Sequence, residues 1–156
     1  MKKITAIILA LVMTLCLAAC GNGDSSKDVN LEEVYNQIAE KTTLPDMTQI
    51  NSADLLLSFY GINEADAKQY VAYVSSISTQ VDEIVMFEAV DSEAADRIKT
   101  ALQTRYDSQY SANKNYLPDQ AAIIKECEVS QNGNYVRMFI SPDAGTMVSV
   151  YNEAFK

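Results

Sequence analysis

The stretch 84–90, Ile-Val-Met-Phe-Glu-Ala-Val, is apolar on both parities of an extended chain. Ile84 and Met86 fall on one side and Val85, Phe87 and Ala89 on the other. A strand with two apolar faces must be covered on both, so the segment is expected in the middle of a sheet with further layers against it.

The flanking segments supply those layers. Residues 31–41 predict an amphipathic helix, with Leu31, Val34, Tyr35, Ile38 and Ala39 at helical spacing. Asn30 is placed to cap it, Glu33 follows three residues on as in a capping box, and Val29 with Val34 occupies the positions of a hydrophobic staple. Thr43-Leu44-Pro45-Asp46 ends it. A second short helix fits 53–60, capped by Ser52 and stopped by Gly61, and a third is expected after Asn63, with Glu64 and Asp66 in its first turn. The segment 70–78 reads both ways: Val71 and Val74 suit a helix, while its β-branched and aromatic content suits a strand.

Beyond the central strand, Asp91 or Ser92 caps a long helix that carries Ala95, Ile98, Leu102, Tyr106 and Tyr110 on one stripe and reaches about Ala112. Pro118 punctuates the crossover to Asn132-Gly133, the preferred pair for a two-residue type I′ turn. With those two residues at the centre, Val129 lies opposite Val136, Cys127 opposite Met138 and Glu128 opposite Arg137. One hairpin face is then apolar and the other carries a cross-strand ion pair. Ser141-Pro142-Asp143 starts a final helix with Pro142 in its first position and Ala144, Met147, Val148, Tyr151 and Phe155 on one face. The expected fold is α+β: a small antiparallel or mixed sheet of three to four strands packed with helices, N-terminal helices preceding the sheet, in one domain over 29–156.

The N-terminus carries a different message. Lys2 and Lys3 precede an apolar run over 4–17 that has the length of a signal-peptide core and falls short of the roughly 20 residues that span a bilayer. Leu17-Ala18-Ala19-Cys20 then has the form of a lipobox: a branched apolar residue, two small residues that let an extended backbone enter a peptidase site, and a thiol able to take a diacylglyceryl group. Residues 1–19 are thus expected to be removed, leaving Cys20 as a lipid-bearing N-terminus. Residues 20–28, small and polar, form a tether that holds the domain on the order of 15 Å from the membrane. Two acyl chains, at about 0.8 kcal/mol per buried methylene, anchor stably where one is marginal.

Taken together, the lipobox, Leu44-Pro45, Tyr60-Gly61-Ile62, Asp82-Glu83-Ile84-Val85, Tyr116-Leu117-Pro118, and Gly133-Asn134-Tyr135-Val136 with Ile140-Ser141 resemble a family of Gram-positive lipoproteins, domain of unknown function 4358. The resemblance runs from about Leu31 to Phe155. It implies a membrane-anchored, extracytoplasmic location and brings no reaction and no functional residues with it.

Composition narrows the chemistry. The 12 basic side chains lose Lys2 and Lys3 with the signal, leaving ten against 21 acidic ones, a net of −11 that disfavours nucleic acid and anionic lipid as partners. The chain has no histidine, which removes Ser-His-Asp and Cys-His nucleophile pairs, imidazole zinc sites and histidine pH switches. No cofactor is implied. Of three cysteines, Cys16 leaves with the signal and Cys20 is lipidated, so Cys127 stands alone. Its expected place opposite Met138 makes it a buried structural thiol and not a nucleophile. Asp82-Glu83 and Glu126 with Glu128 read as solvated charge, lacking the glycine-containing spacing of a calcium loop.

Arg105-Tyr106-Asp107 with Tyr110 and Tyr116 could form a polar surface for a sugar or a peptide, although Tyr106 and Tyr110 also lie on the core stripe of their own helix. Two functions follow. A non-catalytic binding or accessory domain would engage an envelope protein, a peptide or a glycan, with the membrane as second partner through Cys20. The alternative is a carboxylate-dependent hydrolase acting on an envelope substrate, which requires two acids facing each other across a cleft.

Overall fold

The computed structural model describes residues 28–156. The expected signal over 1–19, the lipidation site Cys20 and the tether up to residue 27 lie outside the described residues. The described chain runs α1 (Leu31–Lys41), β1 (Met47–Gln49), α2 (Ala53–Tyr60), a 3-10 turn (Glu64–Asp66), β2 (Ala67–Ser75), β3 (Glu83–Ala89), α3 (Ser92–Asn113), α4 (Pro118–Lys125), β4 (Val129–Asn132), β5 (Tyr135–Ile140) and α5 (Ala144–Ala154).

The five strands form one antiparallel sheet in the order β1-β2-β3-β5-β4. The α+β class and the central position of β3 are as expected; the three to four strands become five. The addition is β1, three residues too short to display a period, which pairs Met47 with Ser75 at one edge. Because β1 stands between α1 and α2, the N-terminal helices do not all precede the sheet.

Strand parity decides what each helix covers. Val85, Phe87 and Ala89 of β3 join Ala72, Val136, Met138 and Ile140 in a core roofed by Leu56 and Tyr60 of α2, Ala95, Ile98 and Leu102 of α3 and Ile124 of α4. On the opposite face Ile84 and Met86 meet Val71, Tyr135 and Phe139 under Leu31, Val34 and Ile38 of α1 and Met147, Val150 and Tyr151 of α5. The two apolar parities of β3 therefore serve two separate cores.

Local signals set most element ends. The Asn30 carboxamide accepts from the Glu32 and Glu33 amides at 3.0 and 3.2 Å, and Val29 and Val34 are both buried. Ser52 caps α2 and Gly61 ends it at φ 69°. Asp91 caps α3. Gln69 of β2 ties the start of α1 to the sheet: its carbonyl accepts from the Leu31 amide at 3.0 Å while its amide donates to the Val29 carbonyl at 2.7 Å and to Glu88 at 2.8 Å.

Several expectations require correction. The third helix is a single 3-10 turn, because from Ala67 the chain pairs with β3 along nearly its whole length, which also settles 70–78 largely as strand. The crossover at Pro118 is itself a helix, with proline in its first turn and Ala121 and Ile124 buried three apart. The final helix begins at Ala144, two residues beyond Pro142. Asp143 holds the preceding position, but its carboxylate accepts from the Thr43 amide at 3.2 Å, joining the end of α1 to the start of α5.

The hairpin register is shifted by two. Val129 lies opposite Met138, and Arg137 opposite Ser130, because the turn centres on Gly133-Asn134. Only Gly133 has a positive φ, 57°, as in a type II′ turn, where glycine takes the first central position. A shift of two preserves side-chain faces, so the apolar face survives while Cys127 falls outside the strand. Nothing lies within 4 Å of a Cβ added at Gly133, so the cost of a side chain there is purely conformational. Gly133→Val is expected to destabilise the domain by about 1–3 kcal/mol, read as a fall of several degrees in Tm, with Gly133→Ala less affected. An unchanged Tm in both variants would contradict a left-handed residue at this turn.

Candidate functional site

The strands leave one end of the α1/α5 face uncovered. Helix α5 packs chiefly over β5, inside the edge strand β4, so the side chains that β4 directs to that face line a groove beside α5. Arg137 lies between its two halves. One half, about 180 Å³, is lined by Ser130, Asn132, Tyr135, Arg137, Tyr151, Asn152 and Phe155. The other, about 200 Å³, has Glu126, Cys127, Glu128, Arg137 and Phe139 on one side and Ala144, Gly145 and Val148 of α5 on the other.

Arg137 is unusual for a guanidinium. It is 6% exposed, and its head lies 5.5 Å from the centroid of the Phe139 ring and 5.7 Å from that of Tyr151. Its ionic partner, Glu128, contacts it through Nη2 to Oε1 at 3.1 Å and has a side chain 69% exposed. Burial pushes the Tyr151 phenol well above its usual range, against the pull of Arg137, and burial with the Glu88 charge raises Tyr135. Both phenols are therefore protonated at neutral pH.

The residues singled out in the sequence do not converge here. Tyr106 and Tyr110 are partly buried and pack on the α3-side core, and Tyr116 is 86% exposed beyond the end of α3. Arg105 turns inward. Its Nε and Nη2 reach Glu83 at 3.2 and 2.9 Å, and its head lies 5.8 Å from the ring centroids of Phe59 and Tyr60.

The expectation that Asp82 and Glu83 are solvated is overturned: they are 8% and 1% exposed, Glu83 as the first residue of β3 and Asp82 just before it. Glu83 escapes the cost of isolation through Arg105, 22 residues away, which no local spacing reveals. Gln109 adds a 3.4 Å contact, and the buried Tyr60 hydroxyl, raised by burial and by the Glu83 charge, lies near that carboxylate without closing a well-formed hydrogen bond. Glu128 is exposed as expected and pairs with Arg137 from a diagonal position.

Cys127 is half-buried and not fully enclosed. Its thiol donates to the Ile123 carbonyl at 3.1 Å, and burial pushes its pKa up, away from the thiolate a nucleophile needs. Among the described residues no group of three or more histidine, cysteine or acidic side chains could hold a metal ion.

Asp82 gives a pH test. Burial, reinforced by the Asp143 charge, raises its carboxyl above the ordinary 3.8 despite the Ser141 hydroxyl. A folded-state pKa above the unfolded one means that the folded protein holds the proton longer, so stability is lost as pH rises from about 3.8 through the raised value. Asp82→Asn is expected to raise Tm relative to the parent at pH 7 and to lose that advantage near pH 3. An equal difference at both pH values would contradict the burial penalty.

The groove was missed because Arg137 reads in sequence as half of a surface pair. A signal exists in its parity: Tyr135 and Phe139, two residues to either side, share its face, and an arginine flanked on one strand face by aromatic side chains is placed to be stacked and buried.

Comparison with curated proteins finds no match, and comparison with solved structures finds none. The family model for Domain of unknown function (DUF4358) matches residues 39–141, which take in every strand and stop before α5. That span is narrower than the resemblance from Leu31 to Phe155, yet it covers well over half of the chain. The protein belongs to the family described as Domain of unknown function (DUF4358).

Proposed function

We propose that the protein is a lipoprotein of a Gram-positive envelope, anchored on the extracytoplasmic side through Cys20, whose domain binds a partner or ligand in the groove between β4 and α5 without chemical turnover. The observation that carries the binding reading is Arg137: a buried, aromatic-stacked cation in an open groove, held by one exposed carboxylate. A fixed polar group set among aromatic side chains in a concave surface is the arrangement by which binding sites orient a ligand.

The anchoring rests on the lipobox and its flanks. Among the described residues no helix is long and apolar enough to cross a membrane, and a lipid tether would confine the domain to a thin layer where its effective concentration toward membrane-bound partners is high. Against the hydrolase alternative, Asp82 and Glu83 have separate surroundings, Asp82 beside Ser141 and Asp143 and Glu83 sealed beneath Arg105.

A photo-crosslinking residue at Asn152, on the groove wall, compared with one at the exposed Gln103 of α3, tests this in cells carrying the lipidated protein. Adducts are expected from position 152 and not from 103. Adducts from 103 alone, or from neither, would overturn the groove as the binding site.

A further inference from the structure

We infer that the ligand of this groove is a molecule ending in a free carboxylate, a peptide C-terminus by class, and that Glu128 is an internal occupant of the same seat which the ligand displaces. The inference rests on the binding function proposed above and names the chemistry recognised there.

The geometry of Arg137 carries it. A guanidinium presents five N–H donors in a planar fork that matches a carboxylate through two parallel bonds. Among the described residues Arg137 donates one side-chain hydrogen bond, through Nη2 to Glu128. No guanidinium nitrogen of Arg137 is both sealed from solvent and unpaired, so the donors left over from Glu128 keep contact with solvent, and Arg137 lines both halves of the groove. The Phe139 and Tyr151 rings restrain the head, and an arginine whose fork is held in advance loses little entropy on binding.

The seat has already accepted a carboxylate, that of Glu128, and this favours a carboxylate over a phosphate. The hold is shallow. Glu128 makes one contact at 3.1 Å with most of its side chain in water, so it occupies one arm of the fork and is held from one side only. An incoming carboxylate that closes both arms of the fork gains more than the protein loses when Glu128 swings into solvent.

Charge around the groove orients the ligand. On the Asn152 side Arg137 is, among the described residues, the only charged one lining the pocket, and Ser130, Asn132 and Asn152 offer neutral hydrogen-bonding groups. Its roughly 180 Å³ equals the space of about six waters at about 30 Å³ each, enough for a carboxylate and a small substituent. On the other side Glu126 and Glu128 rim a pocket floored by Phe139 and Val148, so the body of the ligand beyond its carboxylate is neutral or cationic. Among the described residues β4 stands at the edge of the sheet and pairs with β5 alone, an edge of the kind to which a peptide main chain can add as a further strand.

The test uses calorimetric titration of the mature lipidated protein in nanodiscs with four probes: N-acetyl-alanyl-alanine, its C-terminal amide, acetate and inorganic phosphate. The peptide acid is expected to bind about tenfold or more tightly than the amide, with acetate weaker and phosphate weakest. Glu128→Gln should tighten the acid by about three- to tenfold without changing the amide, and Arg137→Lys, which keeps the charge and loses the fork, should weaken the acid about tenfold or more. If Arg137→Lys lowers Tm, Glu128→Gln decides alone, since Glu128 is exposed.

Equal binding of acid and amide, or an acid affinity unmoved by Glu128→Gln, overturns the carboxylate seat and leaves groove binding standing. Preference for phosphate also overturns it. Absence of binding by every probe overturns the peptide-carboxylate inference, while crosslinking from position 152 separately decides the binding function.

Discussion

Arg105→Ala is expected to destabilise the domain by about 3–5 kcal/mol, the largest effect of any single substitution outside the apolar cores. The side chain it would orphan is Glu83, 1% exposed, whose two oxygens receive Nε at 3.2 and 3.3 Å and Nη2 at 2.9 Å. With Arg105 truncated, Gln109 at 3.4 Å and the nearby Tyr60 hydroxyl are poor substitutes for a counter-ion. The pair also fastens the middle of α3 to the first residue of β3, so its loss is felt by the helix that roofs one core. The double variant Glu83→Leu with Arg105→Met should recover most of the loss, because a buried pair is costly to break but often replaceable by apolar groups of similar volume. Urea unfolding at pH 7 measures all three proteins. A single variant within about 1 kcal/mol of the parent would mean that Glu83 finds another partner or water, contrary to its burial.

Cys20→Ala should abolish incorporation of labelled fatty acid and leave a precursor that keeps residues 1–19. The thioether requires a thiol at that position, and neither Cys16, inside the apolar segment, nor the partly buried Cys127 can replace it. Metabolic labelling followed by intact-mass measurement reads both effects at once. Label retained by the variant, or a mature chain starting at position 20 without it, would contradict the anchoring proposal.

Where the structure followed the sequence, the controlling interactions were local. Asn30, Ser52 with Gly61, and Asp91 act within a few residues of the helices they bound, and α1 and α2 have the expected limits. The two apolar parities of 84–90 correctly implied cover on both faces, since strand side chains alternate whatever their partners are.

Where sequence and structure part, the deciding contact is distant for the strands and local for the hairpin. Residues 67–75 become a strand because β3 is there to pair with them, and β1 exists because β2 offers an edge. The hairpin moved by two because Asn132-Gly133 and Gly133-Asn134 are both good turn pairs, and the register that needs one left-handed residue places it on glycine. The site was legible only in pieces. Arg137 and Glu128 were paired, and a polar tyrosine-bearing surface was expected, but around Tyr106, Tyr110 and Tyr116 and not around Tyr135 and Tyr151. What assembles the groove is that α3 covers one face of β4 while α5 sits beside it on the other, a property of the layer arrangement and of no single segment.

Binding in the groove without turnover is tested most directly by amide NMR of the isotopically labelled mature protein, titrated with peptide and glycan fractions released from the cell envelope. The mass of the recovered ligand is compared before and after. Shifts are expected to cluster at 130–137 and 151–155, with the ligand returned unchanged. Shifts centred instead on the outer face of α3 around Asp96, Gln103 and Asp107, or a ligand recovered cleaved, would contradict it.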